Sequence, residues 1–228
     1  MRDSVGEGLF TYSQKDLIMQ NNVNSTNLSN NPTNYRQDFA IIAGWVAFGS
    51  KVLDLGCGDG TLLQFLRSSL ETKGYGVEKD DANWLACLQN GTNVIQMDLE
   101  AGLSGFEDQS FDTVILSQTL QAMHNTEEIV QEMLRVGKEI IVTFPNFGYW
   151  RNRLQIASGG HMPVSKDLPF QWFDTPNVHL CTINDFDQFC KNHKISVIER
   201  KVITEGNEVS FMPNLLGNLA MYRLKATY

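Results

Sequence analysis

No stretch of about 18 apolar residues occurs in the 228-residue chain, and no basic run followed by an apolar one stands near its start. Neither a membrane span nor a secretory leader is therefore expected. Cysteine is scarce: Cys57, Cys87, Cys181 and Cys190 lie 30, 94 and 9 residues apart, which fits neither a zinc ribbon nor a CxxC redox pair. His161 and His179 with Cys181 fall short of a four-ligand set, so no metal is expected. A reduced, cytoplasmic protein fits this usage best. Lys and Arg are missing from residues 80 to 134, which hold ten acids, while the rest of the chain carries +2 of the net charge of −8. That face repels phosphates, which argues against a nucleic-acid partner and for a small or cationic one.

What is present reads as one large domain with an extension. Residues 21 to 34 contain seven Asn in fourteen, a composition that cannot bury a core, so residues 1–34 are expected to be disordered or loosely docked. Residues 35–228 form the domain. Phe39, Ile42, Ala43 and Val46 share a helical face that closes at Gly49, followed by a strand at Lys51–Leu55. Strands at 74–78, 93–96, 111–116 and 138–144 alternate with helices from Leu62, near 82–89 and over 127–135. This alternation predicts βαβ crossovers, hence a doubly wound, mainly parallel α/β sheet. Pro145, Pro163, Pro169 and Pro176 then break an aromatic-rich stretch, about 145–182, read as an insert or flap. A helix at 183–192 and an antiparallel edge hairpin from 195–203 and 219–224 complete the fold.

A third glycine is also missing where a dinucleotide fingerprint needs it, since Thr61 occupies that place. The loop between the first strand and its helix reads Asp54-Leu-Gly-Cys-Gly-Asp-Gly60. Gly56 and Gly58 permit a turn that Cβ atoms would obstruct, so a ligand can approach the backbone and the helix N-terminus. Asp54 and Asp59 suit a cationic ligand better than a diphosphate. Glu78 ends the second strand, where a carboxylate can accept the hydrogen bonds of a ribose diol, and Asp98 follows the third strand.

This loop, together with the acid ending strand two, resembles the class I S-adenosylmethionine-dependent methyltransferases. The resemblance implies a seven-stranded sheet, with Gly56, Gly58 and Gly60 against the amino-acid half of S-adenosylmethionine or S-adenosylhomocysteine. It also implies Glu78 on the ribose and Asp98 on the adenine, with Asp54 and Ser117 completing the cofactor set. Further blocks narrow the likeness: Val52 to Gly60, Tyr75-Gly-Val-Glu78, Asn93 to Asp98, Leu116 to Gln121, Phe144-Pro-Asn-Phe-Gly-Tyr-Trp150 and Gln171 to Ile183. Together they resemble the MetW family of methionine-biosynthesis proteins from about residue 36 onward. That likeness implies a homoserine O-acyltransferase as partner, with the chain either an accessory subunit or an active methyltransferase.

No catalytic residue is assignable. Ser117-Gln-Thr-Leu-Gln121 lacks a strong base, and methyl transfer to an amine or oxygen generally needs a place for a proton. Gln118 and Gln121 remain candidates for orienting an acceptor. In the flap, Trp150, Arg153 and Trp172 are of the types that anchor protein interfaces, so they are candidates for contact with an acceptor or partner.

Overall fold

The computed structural model describes residues 36–227; the extension expected at 1–34 lies outside them. A short helix, α1 (Phe39–Trp45), leads into β1 (Lys51–Leu55), α2 (Thr61–Leu70), β2 (Lys73–Glu78), α3 (Asp81–Gln89) and β3 (Val94–Gln96). Then come β4 (Phe111–Ser117), α4 (Thr126–Val136), β5 (Gly137–Pro145), α5 (Trp150–Gly159) and α6 (Ile183–Asn192). The chain ends in β6 (Ile195–Thr204), β7 (Asn207–Glu208), α7 (Pro213–Leu216) and β8 (Leu219–Ala226).

One sheet has the order β3-β2-β1-β4-β5-β8-β6-β7. Strands β1 to β5 are parallel, whereas β8 pairs antiparallel with both β5 and β6. The expected seven strands become eight because the two-residue β7 folds back on the end of β6. The closing pair is also not a simple edge hairpin: β8 lies inside, between β5 and β6. A long connection carrying β7 and α7 lets β8 reach that place.

Strand side chains alternate between two cores, as the pleat requires. Leu53, Val114, Leu116, Val142 and Phe144 face one way and pack with Ile129 and Met133 of α4 and Phe186 of α6. Val52, Ile115, Ile141 and Met221 face the other way, against Phe39 and Ile42 of α1 and Leu62, Leu63 and Leu66 of α2. Apolar residues on both faces of the central strands therefore follow from helices covering both sides.

The flap carries one helix among the described residues. The ten-residue helix α5 falls in the segment read as a proline-broken flap, and its only buried residue is Asn152. The flap is tied down by polar contacts. Asn146 is buried and donates to the carbonyls of Asn214 and Gly217, while its Oδ1 accepts from Gly148 and Ile183. Asp167 accepts from Asn218, and the backbone amides of Val178 and His179 both donate to the Gln121 carbonyl.

Candidate functional site

The site is built where β1 ends. Asp54 is buried within the strand, opposite Gly76 of β2. The chain then turns through Gly56, Gly58 and Gly60, all left-handed at φ 69°, 56° and 80°, a conformation glycine adopts without steric cost. The three positions differ in surroundings. A Cβ on Gly56 would stand 2.8 Å from the Thr119 side chain, and one on Gly60 would stand 2.9 Å from Thr92 Oγ1, so protein occupies both places. A Cβ on Gly58 would meet nothing within 4 Å, so this glycine alone of the three faces open space.

Glu78 fixes that geometry. Its Oε2 accepts the Gly58 amide at 2.8 Å, and its Oε1 accepts the Lys79 and Asp80 amides at 2.9 Å each. The carboxylate, in a residue only 8% exposed, therefore clamps the loop to the end of β2. An ionised carboxylate offers about four lone-pair sites, so Oε2 retains one for a hydroxyl donor. Asp98 caps the short helical turn at Leu99–Ala101, accepting from the Glu100 amide, and its other oxygen lies 3.7 Å from Lys79 Nζ. Lys79 thus connects, by its amide and its ammonium group, the carboxylate that ends β2 with the one that follows β3.

The loop also brings together two thiols that no sequence spacing pairs. Cys57 and Cys87 Sγ atoms are 3.7 Å apart, and Cys87 donates to the Gly58 carbonyl at 3.1 Å. Burial is the main cause that pushes both thiols above their ordinary range, reinforced at Cys57 by Asp54. They stay protonated and unreactive, as packing for the loop.

At the end of β4, Ser117 shares a hydrogen bond with Thr143 of β5, so its hydroxyl is engaged by the sheet. Gln118 is left-handed at φ 55°, its amide donating to Thr143. Gln121 donates back to the Gln118 carbonyl at 2.7 Å. This closed turn presents Thr119 to Gly56, which brings the Gln118–Gln121 segment against the glycine loop.

The flap candidates have separate roles. Trp172 is 74% exposed and packs edge-on against Phe173, itself 70% exposed. Trp150 opens α5 half-exposed, with the Arg151 guanidinium over its ring. Arg153 instead donates to the carbonyls of Gly148 and Asn214, so it braces the base of the flap.

Comparison with known proteins fits this geometry. The family model described as methionine biosynthesis protein MetW matches residues 36–224. The chain belongs to the MetW family. It is 44% identical over 146 residues to a bifunctional methionine biosynthesis protein MetXA/MetW of Rhodopirellula baltica, a match covering 60% of this chain and 23% of that protein. The chain thus spans about a quarter of that relative. Among solved structures, an S-adenosylmethionine-dependent methyltransferase from Mesorhizobium loti superposes with TM-score 0.63 at 13% identity, covering 84% of this chain and 98% of that one. A SAM-dependent methyltransferase from Archaeoglobus fulgidus gives TM-score 0.61 at 14% identity, with 88% and 99% covered. At these identities the structural likeness establishes the fold, that of class I methyltransferases, with its mixed sheet and flanking helices. The family links this MetW member to methionine biosynthesis. Among the described residues, no helix is long and apolar enough to cross a membrane.

Proposed function

We propose that this chain binds S-adenosylmethionine or S-adenosylhomocysteine at the Gly56–Gly60 loop and works with a homoserine O-acyltransferase, as an accessory or regulatory subunit. The observation that carries the cofactor reading is the clamp of Glu78 on Gly58, with open space in front of that glycine. The residues fit the group: Gly58 admits its amino-acid half, Glu78 Oε2 can take a ribose hydroxyl, and Asp98 stands at the adenine side. Asp54 and Asp59 supply negative charge suited to a sulfonium. When bound, S-adenosylmethionine supplies an electrophilic methyl group.

The partner reading rests on the family and on the bifunctional relative, whose name joins MetXA to MetW in one protein. The exposed Trp172 and Phe173, with Trp150, are the anchors such an interface would use. Arg153 contributes by holding the flap in place. A cytoplasmic location follows from the same reading.

A second reading, methyl transfer to a small-molecule or protein acceptor, is supported by the Gln118–Gln121 segment, which Thr119 sets against the loop. Titration calorimetry with S-adenosylmethionine, S-adenosylhomocysteine and NAD tests the cofactor. Pull-down of a homoserine O-acyltransferase, with its rate measured with and without the chain, tests the partnership. Methyl transfer without association would favour the second reading.

A further inference from the structure

The glycine loop and the flap are fastened to opposite sides of one turn, Gln118 to Gln121. On the loop side the contact is steric. A Cβ on Gly56 would stand 2.8 Å from both Cγ2 and Oγ1 of Thr119, so loop and turn pack without slack and neither backbone shifts alone. The Gly56 and Cys57 amides share the Val77 carbonyl, and Glu78 holds Gly58, so the loop is in turn fixed to β2.

On the flap side the contact is polar. The Gln121 carbonyl accepts two amides at once, Val178 at 2.8 Å and His179 at 3.0 Å, and His179 Nε2 meets the His124 carbonyl at 3.2 Å. Local bonds stiffen the strap between this tether and the exposed Trp172 and Phe173. The Gln171 amide donates to Asp174, the Thr175 amide to the Gln171 carbonyl, and the Asn177 amide to the Thr175 hydroxyl.

The turn itself is strained. Gln118 is left-handed at φ 55°, a conformation that a Cβ makes costly and that persists only where the surroundings over-determine it. Those surroundings are explicit: its amide donates to the Thr143 carbonyl at 2.9 Å and hydroxyl at 3.0 Å, and its carbonyl accepts Gln121 Nε2 at 2.7 Å.

We propose that the Gln118–Gln121 turn is a two-state switch that couples cofactor occupancy to docking of the flap. This coupling rests on the functional reading given above. In the locked state, the one seen here, Thr119 bears on Gly56 and Gln121 holds the flap. In the relaxed state Gln118 leaves the left-handed region, Thr119 withdraws and the Gln121 carbonyl releases its two amides. S-adenosylmethionine at the loop and the acyltransferase on Trp172 and Phe173 both favour the locked state, so the first to bind orders the turn and the second finds it ordered. Each therefore raises the affinity of the other by the same factor.

Hydrogen exchange on the full chain reads the switch without a partner. Saturating S-adenosylmethionine is expected to slow exchange of the Val178 and His179 amides about 5-fold or more. Titration of the acyltransferase with and without S-adenosylmethionine, and the reverse, should show mutual tightening of about 5- to 20-fold. Val178→Pro removes one donor of the tether at an exposed position, and Thr119→Ala removes the contact with Gly56. Melting curves establish that each is folded. In both, the tightening should fall below about 2-fold, while Val178→Pro alone binds S-adenosylmethionine within about 3-fold of wild type. Unchanged exchange at Val178 and His179 in a chain that binds S-adenosylmethionine overturns the switch and leaves the functional reading standing. So does equal or weaker acyltransferase association when S-adenosylmethionine is bound, or full coupling in both folded variants. Wild type that binds no S-adenosylmethionine, or no acyltransferase, overturns that reading and the switch with it.

Discussion

Glu78 Oε2 accepts the Gly58 amide at 2.8 Å, so the residue that ends β2 holds the open glycine of the loop that follows β1. One carboxylate thereby shapes the loop and, on the proposed reading, would also meet the ligand. Glu78→Ala is expected to weaken S-adenosylmethionine binding about 10- to 100-fold, from the loss of charge-assisted hydrogen bonds worth roughly 1.5–3 kcal/mol. It should also lower the melting temperature by several degrees, because the Gly58, Lys79 and Asp80 amides lose their acceptor. Glu78→Gln keeps one acceptor oxygen and should fall between. Calorimetry and a melting curve on the same preparations check both effects.

The glycines should separate by readout. Gly56→Ala forces a Cβ to 2.8 Å from Thr119 and should cost stability first, beyond the roughly 1 kcal/mol of left-handed strain that both positions share. Gly58→Ala meets no protein atom within 4 Å and should melt closer to wild type while binding cofactor poorly. Thermal denaturation paired with titration distinguishes them, and the reverse ranking would place the ligand elsewhere.

Much of this architecture was legible in the sequence because its signals are local. The β1 strand, the glycine loop and Glu78 lie within one βαβ unit, where hydrophobic period and glycine spacing suffice. Helix α5 was not delimited in the sequence, and its apolar residues do not form a core face: Trp150, Leu154 and Ile156 are all substantially exposed, and Asn152 is what it buries. The different duties of Gly56 and Gly58 were equally hidden, since Thr119 reaches the loop only after β4 pairs with β1. Arg153 looked like an interface anchor by residue type, but its guanidinium serves backbone carbonyls.

Acid should erase one specific stabilisation. Hydrogen bonding from Arg135 holds the Glu132 carboxyl below its ordinary range, and the pair also ties in Leu103 and Asp108. A depressed carboxyl stabilises the fold above its unfolded pKa, and that contribution disappears as pH falls through the lower folded value. Glu132→Gln should therefore melt several degrees below wild type at pH 7, with the gap closing as pH drops below about 4. A gap independent of pH would assign the loss to packing.

On the flap, Trp172→Ala and Phe173→Ala should leave the melting temperature within about 1 °C of wild type, since both rings are mostly in solvent. Arg153→Ala should lower it by taking a donor from the Gly148 carbonyl and one of two from the Asn214 carbonyl, which keeps Asn146. If the flap binds the acyltransferase, Trp172→Ala costs roughly 2 kcal/mol of association, about 30-fold in affinity. Pull-down beside a melting curve separates the roles.

A calorimetric titration of wild type and Glu78→Ala with S-adenosylmethionine and NAD asks whether the Gly58–Glu78 clamp forms the proposed cofactor site. Wild type is expected to bind S-adenosylmethionine saturably and NAD not at all, and the variant to lose about 10-fold or more in S-adenosylmethionine affinity. NAD binding with no response to S-adenosylmethionine, or equal S-adenosylmethionine affinity in a folded Glu78→Ala, would contradict it.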